Sequence, residues 1–143
     1  KNLILFSNNK NEFYSVDRST GLINWINKIS SSIRPIVIDK FIITVSDKGY
    51  LYVINKKNGD ILRINDLYKD YKPKKRIKIS PTGFIIAENK IYLTNNDGKL
   101  IVADLNTGTV SNILKIASKK ISQPFVHNNN IFIIKNGSII KYN

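Results

Sequence analysis

The 143-residue chain carries 23 Lys and Arg against 10 Asp and Glu, a formal net charge of +13, and 42% of its residues are hydrophobic. No apolar run approaches the roughly 18 residues that read as a membrane-spanning helix, and the absence of cysteine excludes a disulfide framework, a thiolate nucleophile and cysteine-based zinc spacing. A charge of this size ordinarily points to a polyanionic partner, but lysine far outnumbers arginine and is scattered through turns and strand ends, which halves the weight of that argument.

In chain order, the first elements are an apolar strand pair, LILFSNNKNEFYSV, running into the motif FYSVDRSTGLINW from Phe13 to Trp25. A short strand RPIVI follows, then FIITVSDKGYLYV and a second motif copy, LYVINKKNGDILR, from Leu51 to Arg63. Asn65 to Ser80 is an insertion holding the one dense basic cluster, KDYKPKKRIK from Lys69 to Lys78, with Tyr68 and Tyr71 beside it. Cations mixed with aromatics are what a nucleic-acid site uses, yet a solvated lysine-rich loop is the simpler reading, and a nucleic-acid partner is not expected. Next come GFIIA, IYLTNNDGKLIVA and a third copy, LIVADLNTGTVSN, from Leu100 to Asn112. QPFVH and IFIIKNGSIIKY close the sequence, the fourth copy stopping at Asn143.

Aligned on the motif, Asp17, Asn55, Asp104 and Asn143 stack, as do Gly21, Gly59 and Gly108, at spacings that suit a propeller blade. Asp97-Gly98 and Asn136-Gly137 are type I′ hairpin signals, because that turn needs the positive φ that Gly and Asn tolerate. Pro35 and Pro124 sit near strand starts, where a missing donor does least harm. The unit is four strands joined by short turns, with no convincing helical period. Several strands are apolar at consecutive positions, which fits sheets covered on both faces by neighbours better than the alternative of an ordinary β-sandwich. The expected fold is therefore all-β, a propeller of four-stranded antiparallel blades with about three and a half present. Residues 1–28 are a partial blade, 33–66 a blade, 67–80 the basic insertion, 81–116 a blade and 121–143 a partial blade.

In each copy Asp17, Asn55 or Asp104 is expected to accept backbone N–H groups of the following turn, while the glycine supplies positive φ. Phe13, Leu51, Leu100 and Ile139, four residues before the motif position, are expected at equivalent positions on inner strands. The insertion is expected to project from the propeller, with Lys72, Lys74, Lys75 and Arg76 as candidate contacts for an acidic partner. An open arc also leaves apolar faces at both ends, so self-association through Leu3 to Phe6 and Ile131 to Ile140 is expected. Methionine is absent and Lys1 leads directly into an apolar strand, so the sequence is expected to start inside a longer precursor.

The stretch Val16 to Trp25 resembles the docking motif of quinoprotein (PQQ-like) repeats, with Asp17, Thr20, Gly21 and Trp25 at the signature positions. Asp104, Thr107 and Gly108 match its first half, but Asn112 stands where Trp would be. In the middle copy Asn55 and Gly59 match while Asn58 and Arg63 replace Thr and Trp. Within that family the chain resembles the BamB outer-membrane assembly lipoproteins. The resemblance implies a non-catalytic periplasmic scaffold at the outer membrane, with a protein partner in β-barrel assembly and a peripheral relation to the membrane. The other branch of the family implies a fragment of a quinone-dependent dehydrogenase whose catalytic residues lie elsewhere. That branch needs a quinone, usually calcium, and a catalytic carboxylate. Here every acidic residue has a local reading in a motif, a turn or the insertion, so no catalytic residue, metal ligand or cofactor is assigned. His127 has no second His or Cys nearby in sequence and is read as an exposed turn residue.

Overall fold

The computed structural model describes residues 2–142. Its strands are β1 (Leu3–Ser7), β2 (Phe13–Asp17), β3 (Ile23–Asn27), β4 (Ile36–Ile38), β5 (Phe41–Val45), β6 (Tyr50–Asn55), β7 (Ile61–Asp66), β8 (Pro81–Ala87), β9 (Lys90–Asn95), β10 (Lys99–Asp104), β11 (Val110–Lys115), β12 (Phe125–His127), β13 (Asn130–Lys135) and β14 (Ser138–Tyr142). One four-residue helix, α1 (Pro73–Arg76), interrupts them between β7 and β8. The strands form four antiparallel meanders, β1-β2-β3, β4-β5-β6-β7, β8-β9-β10-β11 and β12-β13-β14. Two complete four-stranded blades thus stand between two three-stranded ones, the three and a half blades expected from the repeat.

Sequence chemistry sets each connection. At Asn136-Gly137 both residues have positive φ (48° and 76°), the signature of a two-residue type I′ hairpin. Glu88-Asn89 and Asn128-Asn129 do the same without glycine; asparagine tolerates the left-handed region best after glycine, and Glu88 adopts it without that advantage. Asp97-Gly98 departs from the type I′ expectation. Only Gly98 is left-handed (φ 78°), and its N–H donates to the Asn95 carbonyl at 3.2 Å. This is the longer hairpin that ends in a glycine bulge, and Ser46 to Gly49 repeats it, with Gly49 N–H to the Ser46 carbonyl at 2.9 Å.

The repeat extends to an irregularity that pattern reading could not supply. In each of the three described motif copies the register between the third and fourth strands of the blade slips at one place, between Ser15 and Val16, between Val53 and Ile54, and between Val102 and Ala103. All three lie one to two residues before the motif position. A bulge there increases the local twist of the outer strand and re-aims the residue after it, which is Trp25, Arg63 or Asn112.

Apolar side chains from facing sheets form one cluster at each junction. Phe13, Trp25, Ile29, Ile42 and Ile54 join the first sheet to the second. Ile43, Val45, Leu51, Phe84, Ile91 and Leu93, with others, join the second to the third. Tyr92, Leu100, Val102, Ile131 and Ile133 join the third to the fourth. Phe13, Leu51, Leu100 and Ile139 occupy corresponding places, opposite Ser7, Val45, Thr94 and Ile134; β2, β6 and β10 lie inside their sheets as expected, whereas β14, which carries Ile139, is an edge strand. The first three are at most 1% exposed, whereas Ile139 is 66% exposed because no further sheet covers it.

Candidate protein interface

The motif turn is built alike in each described copy. Asp17 Oδ1 accepts the backbone N–H groups of Ser19 and Thr20 at 2.8 and 3.0 Å and the Thr20 hydroxyl at 3.2 Å. Asp104 accepts Thr107 N–H at 2.7 Å and its hydroxyl at 3.0 Å. Asn55 accepts Lys57 N–H at 2.9 Å but has no hydroxyl to hold, since Asn58 stands in place of threonine. Gly21, Gly59 and Gly108 close the turns with φ of 72°, 80° and 72°. Backbone and hydroxyl donors hold the Asp104 carboxyl below its ordinary value. The fourth member of the stack, Asn143, lies outside the described residues.

These turns are also the docking points between blades. The Trp25 indole N–H donates to the Lys56 carbonyl at 3.2 Å, and the Asn27 amide donates to the Gly59 carbonyl at 2.8 Å. At the next junction Arg63 takes the place of Trp25, its guanidinium donating to the Leu105 and Asn106 carbonyls, while Asn65 donates to the Thr107 carbonyl at 3.1 Å. Lys56 and Leu105 each follow the motif position by one residue, so two chemically unlike side chains reach corresponding acceptors. Sequence reading took Arg63 as a lapse from the motif. Its forked donors are the signal that could have identified it as a substitute.

The basic insertion does not project as a free loop. Leu67, Tyr68, Tyr71 and Ile79 are buried, and the Tyr68 hydroxyl donates to Asn95 Oδ1 at 2.6 Å. The ring of Tyr68 lies where a side chain on Gly49 would stand. The insertion is therefore pinned by aromatic anchors, with α1 carried above them. Burial chiefly, and then the charge of Asp97, pushes the Tyr71 phenol up to about 12. Lys72, Lys74 and Lys75 face solvent. Arg76 does not share that freedom, because it pairs with Asp66 at 2.7 Å and stacks its guanidinium over Tyr50 at 5.1 Å. Tyr68 and Tyr71 are thus withheld from any stacking role on nucleic-acid bases.

Two sheet faces at the ends of the arc are apolar and open. On the first sheet Phe6, Tyr14 and Ile26 lie in one cross-strand row, the Phe6 and Tyr14 rings stacked at 4.9 Å, with Ile4 beside them; Ile4 and Phe6 are 48% and 45% exposed. On the fourth sheet Phe125 stacks on Phe132 at 5.5 Å, and Ile134 and Ile139 form an exposed pair. Among the described residues no group of three or more His, Asp or Glu side chains is placed to hold a metal ion. His127, at the end of β12, is exposed.

Residues 1–65 match the family model described as outer membrane protein assembly factor BamB. Over this stretch the chain is similar to that family. The same turn at Asp104 to Gly108 carries the repeat beyond the matched part. Among solved structures, BamB from Moraxella catarrhalis superposes with a TM-score of 0.70 at 15% identity, over 96% of this chain and 41% of that one. The computationally designed Ika4 protein gives a TM-score of 0.76 at 14% identity, over 99% and 85% of the two chains. Quinohemoprotein alcohol dehydrogenase ADHIIG from Pseudomonas putida HK5 gives 0.57 at 20% identity, over 73% of this chain and 17% of that one. Likeness at these identities establishes the propeller fold. The chain spans under half the length of the BamB chain, and no curated protein sequence matches it.

Proposed function

We propose that the chain is a non-catalytic, periplasmic protein-binding scaffold of the BamB type, acting in assembly of outer-membrane β-barrel proteins. The observation that carries this reading is the use of the repeat's own polar residues. The motif carboxylates hold turns and the docking side chains hold neighbouring blades, so the repeat delivers surface. The partner surface we assign includes Lys72, Lys74 and Lys75 on the pinned insertion, suited to an acidic partner or to the rim of an anionic membrane. The open faces around Phe6 and Ile139 support self-association of two arcs into one ring, since apolar burial stabilises by roughly 25 cal/mol per Å².

The test is direct binding of the purified chain to components of the β-barrel assembly machinery by surface plasmon resonance. Saturable binding to one component is expected, and failure with every component sinks the assembly role. The second reading, a part of a quinone-dependent dehydrogenase, is favoured by the structural likeness to the Pseudomonas putida enzyme. Stoichiometric heat on titrating the chain with pyrroloquinoline quinone or calcium would favour it instead.

A further inference from the structure

We infer that the end of the arc carrying the insertion docks on an anionic lipid bilayer, with the side chain of Ile77 entering the bilayer among lysines. The inference deepens the reading of the insertion lysines as a partner surface and rests on it.

The topology sorts the cations. In each four-stranded meander the hairpin between the second and third strands and the connection leaving the fourth strand lie at one end, while the other two turns lie at the opposite end. Hydrogen bonds tie these connections to these hairpins: Asp47 N–H donates to the Ser30 carbonyl at 2.9 Å, Ser80 N–H to Asn96 Oδ1 at 3.0 Å, and Ile116 N–H to the Gly98 carbonyl at 2.9 Å. The insertion is one of the connections, and it exposes Lys69, Lys72, Lys74, Lys75 and Lys78. The other connections and the hairpins at that end add exposed Lys10, Arg34, Lys48, Lys119 and Lys120. Cations scattered along the sequence are thus gathered on one surface. The acids there are mostly engaged. Glu12 pairs with Lys28 at 2.5 Å, Asp66 pairs with Arg76 at 2.7 Å, Asp97 lies 3.9 Å from Lys99, and Asp47 accepts the Ser30 and Ser32 hydroxyls at 2.6 Å. Among the described residues Asp70 is the one exposed acid at that end. At the opposite end exposed Asp39, Asp60 and Glu88 stand among exposed Arg18, Lys40, Lys57, Lys90 and Lys141, so that surface is far closer to balance.

Ile77 favours a bilayer over other polyanions. At 83% exposed it is the most exposed large apolar side chain among the described residues, and it directly follows α1, with Lys74, Lys75 and Lys78 as sequence neighbours. Arg76, paired with Asp66 and stacked over Tyr50, holds the segment in place beneath it. A lone apolar side chain among lysines gains little from a solvated acidic partner. A bilayer offers headgroup charge to the lysines and hydrocarbon below them for the isoleucine. The cations themselves are nearly all lysines, whose long stems let the charge follow headgroups that are not fixed in place. Nucleic acid is disfavoured because Tyr68 and Tyr71, the rings beside this cluster that could stack on bases, are buried.

The test is flotation of the intact chain with vesicles of phosphatidylglycerol and phosphatidylcholine in equal parts, compared with vesicles of phosphatidylcholine alone. Saturable binding to the anionic vesicles only is expected, weakening as salt rises. Each lysine at an anionic surface contributes roughly fivefold in affinity, so Lys72→Gln, Lys74→Gln and Lys75→Gln together should weaken binding roughly a hundredfold. Lys40→Gln, Lys57→Gln and Lys90→Gln remove the same charge from the opposite end, beyond a Debye length of about 8 Å, and should leave binding close to wild type. Ile77→Ser keeps the charge, and should weaken binding about fivefold with an unchanged circular dichroism spectrum. No flotation with anionic vesicles, or an equal loss from the two triple variants, would overturn the proposal. Wild-type binding by Ile77→Ser would overturn the entry of Ile77, and with it full displacement of the vesicles by soluble polyglutamate would assign this end to an acidic protein instead. None of these outcomes touches binding of an assembly component measured without lipid, so membrane docking can fail while the scaffold reading stands.

Discussion

The ring of Trp25 lies against Gly59 of the next blade so closely that a Cβ built on that glycine would fall 2.7 Å from the indole. Gly59 also has a φ of 80°, so its backbone and its contact surface both exclude a side chain. Gly21 has a similar φ of 72° with nothing within 4 Å of a built Cβ. The pair separates two costs. Gly21→Ala should lose only the left-handed penalty, about 1–2 kcal/mol, and Gly59→Ala clearly more, because the indole must also move. Trp25→Ala should cost about 3–5 kcal/mol. Urea unfolding midpoints of the three variants check the order, and equal midpoints for the two glycine variants would show that Trp25 does not dock as described.

The buried tyrosines under the insertion make stability fall at high pH. Tyr71 moves from its ordinary value of 10.0 to about 12 in the folded chain, chiefly because burial disfavours the phenolate. The neutral phenol is favoured in the fold, so its contribution is fully present below pH 10. It is lost between about pH 10 and 12, where the unfolded chain releases the proton first. Spectrophotometric phenolate titration alongside the thermal midpoint should show both. Tyr68→Phe should cost about 1–3 kcal/mol by leaving the buried Asn95 carbonyl oxygen without its donor.

The basic surface divides into free and committed cations. Reversing Lys72, Lys74 and Lys75 together to Glu should weaken binding to an acidic partner or to anionic vesicles, with the thermal midpoint nearly unchanged. Arg76→Ala should lower the midpoint slightly, at about 0.2–1 kcal/mol, since its ion pair with Asp66 is partly exposed. Wild-type binding by the triple variant would leave the lysines as a solvated surface only.

Association through the end faces should respond to single charges. Phe6→Lys or Ile139→Lys alters a side chain that is 45% or 66% exposed and belongs to no junction cluster. Each should shift light scattering toward monomer across a dilution series while leaving circular dichroism unchanged. An unaltered wild-type monomer at tens of micromolar would end the two-arc proposal.

Much of this molecule was open to sequence reading because propeller repeats write their rules locally. An Asx turn needs Asp17 or Asn55 a few residues from its glycine, and a tight hairpin needs residues that accept positive φ, as at Asn136-Gly137 and Asn128-Asn129; both act within a handful of residues, so spacing alone exposed the strand order and blade count. What happens between blades is not local. Arg63 reads as a degenerate Trp until the third blade's turn is placed against it, and Tyr68 and Tyr71 read as loop aromatics until Gly49 and Asn95 define the space they fill. The insertion was expected to stand free because lysines dominate its composition, yet two buried rings outweigh several solvated charges in deciding where a segment packs. The sequence by itself determined the turns, the strands and their repeat, since these follow from backbone chemistry over neighbouring residues. Only the tertiary structure decided which side chains dock and which cations stay free, because those depend on residues tens of positions apart meeting across a junction.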